Sequence, residues 1–283
     1  MRELESNKSI QVGQIKALYF DTLKKEYRSK TLITLLVLTI GMILVANSLL
    51  HFVIDYFSGE AISKDELSSL SLVVFYNFID LWSVFIAALV GVNTLRSDFS
   101  DYVLPQLLAF PIRRIDYLIT RLLGAWSIVM AYYCFSVIFA GILFSISTGH
   151  FVMGHQFFIA LFNSSLIVLA ALSFALSLSL FFPRLIAFFI TIVFSAVLST
   201  SNAFVQSSYI ESALAEYGLW HFFLYLLYWV FPRIGTLNNY TNQILNSSVS
   251  ALDSAYALHL LHYSICLVIL LWGVSKIFNK RDL

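Results

Sequence analysis

Charged residues are scarce in this chain of 283 residues: they make up 12% of it, against about 25% in an average water-soluble domain. Proline and glycine number only four and eleven, which excludes collagen-like and low-complexity chains. The two cysteines, Cys134 and Cys266, lie inside apolar segments, so a disulfide framework is excluded. The net charge of +1 gives no indication of a nucleic-acid partner, and none is expected.

Hydrophobic residues, in contrast, make up 59% of the chain and aromatic residues 16%, so we expect it to lie in lipid. A helix that spans a bilayer needs about 20 mostly apolar residues, and six stretches meet this requirement. They are residues 31–54, 70–95, 117–148, 156–182, 184–205 and 255–278. Because these stretches are continuously apolar and not alternating, they predict helices and not a barrel. The predicted fold is an all-α membrane protein with six transmembrane helices.

The distribution of positive charge predicts the orientation of these helices. Most of the 17 lysines and arginines fall in the segments that share one side with both termini. Positive loops stay in the cytoplasm, so we expect a multi-pass protein of the cell (inner) membrane with both termini cytoplasmic. We therefore divide the chain into a cytoplasmic segment, 1–30, and a six-span transmembrane domain, 31–283, with a cytoplasmic loop over 95–116 and an external connection over 206–254.

The stretch 14–30 in the amino-terminal segment has apolar residues at a spacing of three or four, with lysines between them. These apolar residues are Ile15, Leu18, Tyr19, Leu23 and Tyr27. The pattern predicts an amphipathic helix that lies on membrane lipids of the inner leaflet, an "elbow" before the first span. The alternative is an ordinary positively charged flank.

The external connection contains a short apolar and aromatic stretch, 218–231, which ends at Pro232. At 1.5 Å per residue it extends about 21 Å, which is shorter than a hydrocarbon core of roughly 30 Å. We therefore expect an interfacial or re-entrant helix between spans five and six, because tryptophan and tyrosine suit the headgroup boundary. A buried packing helix is the alternative.

The cytoplasmic loop 95–116 is too charged for hydrocarbon and too patterned for a slack linker. Pro105 and Pro111 flank a short apolar turn at 106–110, which predicts a compact helix that projects from the membrane. A soluble partner could bind such a projection.

This loop carries a resemblance to a known family. The segment 107–114, LLAFPIRR, followed by Tyr117, Leu118, Arg121 and Gly124, resembles the pattern LLS-x-PISR-x-x-Y-L-x-x-K-x-x-G of ABC-2 type permeases. The ending FNKRDL at 278–283 is similar to the F-x-[KR]-RDL ending frequent in that family. The family often has Glu and then Gly-Thr before the paired leucines, where this chain has Asp98 and then Asp101-Tyr102-Val103.

The resemblance implies that the chain is the permease subunit of an ATP-binding cassette exporter. It implies two ATP-binding subunits and a second permease copy or paralogue as partners. The sequence contains no G-x-x-x-x-G-K-[ST], so we expect ATP and magnesium on the partner subunit, with no enzyme activity or cofactor here. The implied coupling residues are Asp98, Asp101, Leu107, Leu108, Pro111, Arg113 and Arg114. Arg113 and Arg114 are explained equally well as positive charges that set the orientation of the spans in the membrane.

A carboxylate near the middle of the second span is the main polar feature predicted within the bilayer. Asp80 lies there, where a charge costs about 2.5–3.5 kcal/mol on insertion scales. Asn77 lies three residues earlier, on the same helical face. The two form a candidate substrate path, or alternatively a hydrogen-bonded packing pair. The same two alternatives, substrate path or packing, apply with less support to three other asparagines, Asn47, Asn93 and Asn163.

Two histidines in the last predicted span are candidate metal ligands. His259 and His262 are three residues apart and could share a metal, but the chain offers too few further ligands, and we predict no metal site.

An ion-coupled secondary transporter is the main rival function, although we find no internal repeat. A further alternative is an ABC complex that does mechanical or maturation work, such as metalloenzyme assembly, without exporting a free solute.

Overall fold

A computed structural model describes residues 2–28, 30–57, 64–100, 113–148, 155–206, 218–245 and 254–280. The fold of this part of the chain is all α, without a strand. Its helices are α1 Arg2–Arg28, α2 Lys30–Phe57, α3 Lys64–Ser100, α4 Arg114–Thr148, α5 His155–Ser179, α6 Arg184–Gln206, α7 Gly218–Val230, α8 Ile234–Leu245 and α9 Ser254–Lys280.

Six of these helices are long and apolar enough to cross a membrane. The candidate spans are Leu32–Leu49, Tyr76–Phe99, Arg114–Ile146, Gln156–Ser179, Arg184–Asn202 and Ala255–Asn279. They lie in α2, α3, α4, α5, α6 and α9 and correspond in order to the six predicted stretches. The predicted fold class is therefore confirmed, and the chain is a multi-pass helical membrane protein.

Helices α3 and α5 form the centre of the bundle. In their spanning segments 61% and 67% of the residues are buried, against 11% in α2 and α9 at the periphery. Gly91 of α3 allows the two central helices to approach closely, since a Cβ atom there would lie 2.7 Å from the Cβ of Ala175. Small residues at such positions are the usual means by which helices pack in lipid.

The amino-terminal helix α1 packs against α4. Leu18 and Thr22 are buried in this contact, and a Cβ on Gly124 would lie 2.9 Å from the Cβ of Thr22. The predicted helix therefore exists and begins earlier than expected, at Arg2. Leu18, which we expected to face lipid, is thus buried against α4, whereas Tyr27 of the same predicted face is 81% exposed. Contact of α1 with lipid stays a prediction.

Helices α7 and α8 form a pair that enters the bundle and turns back. Phe231, in the turn between them, lies 4.9 Å from Phe194 and 6.0 Å from Phe174, measured between ring centroids. Phe194 lies near the middle of α6, and Phe174 is buried in the second half of α5, so the turn contacts the interior of the bundle. One face of α7 packs inward through Leu224 and Leu227 while the opposite face is exposed. This arrangement agrees with the re-entrant form of the prediction.

Helix α8 is an element that the sequence analysis did not predict. It lies against α5 and α6 and buries Ile234, Gly235, Thr236, Leu237, Thr241 and Ile244. Gly235 is needed for this contact, because a Cβ atom there would lie 2.5 Å from the carbonyl oxygen of Ser199. The segment 206–254, predicted as an external connection, thus contributes a buried wall of the bundle.

Candidate functional site

The aspartate in the second span, Asp80, is held by hydroxyl groups from two other helices. It is 8% exposed. The Tyr133 hydroxyl of α4 donates to its Oδ1 at 2.5 Å, and the Ser164 hydroxyl of α5 donates to its Oδ2 at 2.9 Å. The Tyr76 and Tyr133 oxygens lie 3.0 Å apart. A phenol has one proton, so Tyr133 donates to Asp80 and Tyr76 donates to Tyr133.

These partners leave the charge of Asp80 without a cation. In the described ranges no lysine, arginine or histidine lies within ion-pair distance of its carboxylate. Two neutral hydroxyls reduce the cost of burying a carboxylate but do not cancel its charge. A buried and uncompensated acid in a spanning helix is by default a candidate functional group.

Asp80 lines a cavity of about 400 Å³ between α3 and α6, which α5 and α8 close from behind. Most of the lining is apolar, and Asp80 is the one charged side chain in the lining that the structure describes. The polar lining residues are Asn77, Asp80, Ser195, Ser199 and Asn238. The structure thus brings the predicted pair Asn77 and Asp80 into one cavity, while its use as a substrate path stays a prediction.

Ser195 is a polar lining residue that the sequence analysis missed. It is 5% exposed, and its Oγ has no hydrogen-bond partner in the part of the chain that the structure describes. A buried hydroxyl without a partner costs about 1–3 kcal/mol. A single serine in an apolar helix carries no signal in the sequence that separates this position from the neighbouring Ser199.

Hydrogen bonds of asparagine side chains join the helices around the cavity. The Asn77 Nδ2 donates to the Oδ1 of Asn242 in α8 at 2.9 Å. The Asn163 Nδ2 donates to the Oγ1 of Thr241, also in α8, at 2.7 Å, and the Tyr256 hydroxyl donates to the Asn163 Oδ1 at 3.2 Å. Asn163 therefore joins α5 to α8 and α9. Asn47 and Asn93 do not line the cavity.

A second buried aspartate, Asp98, lies near the other end of α3 in a cluster of charges. Its side chain is fully buried, with the Arg121 Nη2 at 2.7 Å from Oδ2 and the Lys25 Nζ at 3.0 Å from Oδ1. The Tyr117 hydroxyl donates to Oδ2 at 2.6 Å. We call Lys25, Asp98, Tyr117 and Arg121 the charged cluster; it joins α1, α3 and α4.

Acidic and hydroxyl groups of α1 extend the charged cluster. The Arg121 Nη1 donates to the Oγ1 of Thr22 at 2.8 Å and lies 3.3 Å from the Oδ2 of Asp21. Burial raises the pKa of the neighbouring Glu26 above its usual 4.5, and the positive charges of Lys25 and Arg121 oppose that rise. The cluster is therefore the electrostatic link between the amino-terminal helix and the spans.

The other predicted coupling residues have different positions. Arg113 is exposed directly before α4. The Arg114 Nη1 donates to the carbonyl oxygens of Phe278 and Asn279, at 2.9 and 3.3 Å, and so holds the end of α9. Both ends of the predicted loop 95–116 are helical, because α3 continues to Ser100 and α4 begins at Arg114. The remaining residues, Asp101, Leu107, Leu108 and Pro111, lie outside the described residues.

The two histidines contact α7 and the turn that follows it. The Arg233 Nη1 lies 2.9 Å from the His259 Nδ1, which must accept because a guanidinium only donates. The His262 Nε2 lies 3.0 Å from the carbonyl oxygen of Trp229 and must donate to it. The described helices contain no group of three or more His, Cys, Asp or Glu able to hold a metal.

Comparison with known proteins assigns this chain to no family. No protein-family model matches the chain, and no curated protein matches it. The class that the fold and the site define is a multi-pass helical membrane protein with an anionic cavity between two spans.

Proposed function

We propose that this chain is the permease subunit of an ABC-2 type exporter in the cell's inner membrane, with both termini cytoplasmic. Six spans, a helix before them and the sequence resemblance around 107–124 support this function. In this function two copies of an ATP-binding subunit hydrolyse ATP with magnesium, and a second permease copy or paralogue completes the complex. The chain itself binds no nucleotide.

The observation that carries the proposal is the position of the charged cluster. Asp98 lies on α3 just before the segment 101–112, and Arg121 lies on α4 just after it. A force applied to that segment therefore acts on two helices that are bonded to each other and to α1. Packed rigid helices with two arrangements are the physical means by which distant sites are coupled.

Helix α3 connects the charged cluster with the cavity. At 1.5 Å per residue, Asp98 and Asp80 are about 27 Å apart along this helix. A tilt of α3 at its charged end therefore moves Asp80 relative to α6, on the opposite side of the cavity. In the proposed mechanism, closure of the ATP-binding subunits displaces the segment 101–112 and opens or closes the cavity.

The charge reversal Arg113→Glu tests the proposed contact with the ATP-binding subunit. Arg113 is exposed, whereas Arg114 holds α9, so Arg113 can be altered with less damage to the fold. We expect the complex purified from native membranes to hydrolyse ATP. In the Arg113→Glu variant we expect the ATPase activity, or its coupling to transport, to fall about tenfold, which corresponds to about 1.4 kcal/mol.

The matched control is Arg184→Glu, an exposed arginine at the start of α6, also near the end of a span. We expect this variant to retain coupled ATP turnover. Absence of any ATPase in the purified complex would refute the proposed class. Equal losses in both variants would refute the assignment of Arg113 as a contact.

An ion-coupled secondary transporter is the second candidate, because Asp80 is a buried acid with neutral partners. Such acids are typical of proton or ion relays in transporters. The two candidates differ in their energy source. Transport that continues after ATP depletion, at a clamped membrane potential, would favour the secondary transporter.

A further inference from the structure

We propose that the cavity between α3 and α6 binds an amphipathic monovalent cation, an organic amine whose ammonium group pairs with Asp80. Its apolar body lies against the aliphatic and aromatic lining. The identification of this amine as the exported substrate rests on the function proposed above. The binding itself does not depend on that function.

The charge of the lining selects a cation. Among the described residues that line the cavity, Asp80 is the one charged side chain, and none is lysine, arginine or histidine. An anionic ligand would meet an uncompensated negative charge, and a neutral ligand would leave that charge unpaired. An ionised carboxylate offers about four acceptor positions, of which Tyr133 and Ser164 use two. The remaining positions are available to an ammonium group.

The apolar lining selects an organic ligand over a hydrated inorganic ion. On α3 it consists of Leu81, Val84 and Phe85, and on α6 it includes Ile192 and Ala196. The volume of about 400 Å³ lies within the usual range for sites that bind small molecules, about 300–1,000 Å³. A small amine with one ring system or chain can remove this surface from contact with water or lipid.

A second polar group supports a ligand with N–H donors. The unpartnered, buried hydroxyl of Ser195 lines the cavity from α6, while Asp80 lines it from α3. An ammonium group between the two helices can donate to both oxygens and remove the cost of the unsatisfied hydroxyl.

The opening of the cavity faces the outside of the bundle. Leu81 is 70% exposed, and Ala196 is exposed on the facing helix. Both residues belong to spanning segments, so the opening lies at the level of lipid. An amphipathic amine dissolved in the bilayer can therefore enter between α3 and α6.

The test compares two probes of nearly the same shape, 1-naphthylmethylamine, which is a cation at pH 7, and the neutral 1-naphthalenemethanol. Binding is measured by equilibrium dialysis on the full chain in lipid nanodiscs, without ATP or any partner. We expect saturable binding of the amine, at least about tenfold weaker in Asp80→Asn, and about threefold weaker in Ser195→Ala. We expect Asp80→Asn to leave the weak binding of the alcohol unchanged.

A steric variant keeps the test independent of Asp80, whose replacement could disturb folding. Ala196→Phe places a ring at the opening and retains the carboxylate, so we expect loss of amine binding. The matched control is Ala131→Phe on α4, an exposed alanine outside the cavity, which should bind the amine normally. Equal binding of the two probes, or equal losses in Ala196→Phe and Ala131→Phe, would overturn the proposal. Saturation by sodium ions in place of the amine would also overturn it.

The outcomes separate this proposal from the proposed function. Amine binding by a chain that associates with no ATPase would refute the ABC exporter and leave this site intact. An ATP-driven complex that does not bind the amine would refute this site and leave the exporter intact.

Discussion

Asp98 and Asp80 lie on the same helix, α3, and both are buried, yet their surroundings differ. Two cations, Lys25 and Arg121, neutralise Asp98, while the partners of Asp80 among the described residues are the neutral hydroxyls of Tyr133 and Ser164. A carboxylate whose charge is cancelled by its own chain has no electrostatic need of a ligand. We conclude that the charged cluster is architectural, in that it joins α1, α3 and α4 as the proposed coupling requires, and that the cavity is where a ligand can bind.

Removal of the charge of Asp98 tests this difference between the two aspartates with the largest expected effect. In Asp98→Asn, Arg121 keeps its buried charge without the carboxylate that lies 2.7 Å from it. Breaking a buried pair on one side typically costs about 3–5 kcal/mol, so we expect a loss of this size. Thermal unfolding of the purified protein, followed by tryptophan fluorescence, measures it.

The control for this variant is Asp21→Asn, which removes a carboxylate 3.3 Å from the same arginine but 60% exposed. Exposed ion pairs contribute about 0–1 kcal/mol, so we expect little change. Similar losses in the two variants would show that Asp98 is not the centre of the cluster. The proposed split between an architectural and a ligand-binding aspartate would then fail.

The sequence predicted the spans and the acid within the second span, Asp80, because their signals are local. Long apolar runs identify a spanning helix wherever it packs, and an acid within such a run is visible without a structure. The partners of Asp80 have no such signal. Tyr133 and Ser164 come from other spans, 53 and 84 residues along the chain, so that only the packing of α3, α4 and α5 brings them together.

Helix α8 escaped prediction for a different physical reason. Its sequence, IGTLNNYTNQIL, contains no long apolar run, and half of its residues are Thr, Asn or Gln. Yet its buried Ile234, Leu237, Thr241 and Ile244 recur at a spacing of three or four, which is typical of a one-sided helix. The Asn242 amide oxygen accepts a hydrogen bond from Asn77 of α3, and the Thr241 hydroxyl accepts one from Asn163 of α5. Such pairing becomes visible only when both partners are in place.

The next prediction concerns α8 as a wall of the cavity. Gly235→Ala places a methyl group 2.5 Å from the Ser199 carbonyl and 2.6 Å from the Cβ of Asn202. Overpacking of this kind costs about 1–3 kcal/mol, and we expect thermal unfolding to reveal a loss in that range. Because Ser199 and Ile234 line the cavity, we also expect weaker amine binding.

Gly273→Ala, on α9, serves as the control for the glycine substitution. No heavy atom lies within 4 Å of the added methyl group, so the helix gains an alanine without a clash. We expect unchanged or slightly raised stability, since alanine is about 1 kcal/mol more favourable than glycine within a helix. A stable Gly235→Ala variant with normal amine binding would show that α8 is not a tightly packed wall.

The smallest effect is expected at Glu26, beside the charged cluster. Burial raises the pKa of Glu26 above its usual 4.5, so the folded chain holds the Glu26 proton more tightly than the unfolded chain does. The stability contributed by Glu26 is therefore fully present below about pH 4.5 and falls as pH rises towards the folded pKa. We expect Glu26→Gln to match the wild type near pH 4 and to be slightly more stable at pH 7.

Unfolding temperatures of both proteins across this range measure the difference, and Asp21→Asn controls for the loss of any acid from α1. A constant difference at all pH values would mean that Glu26 acts through packing and that the cluster tolerates its charge without cost.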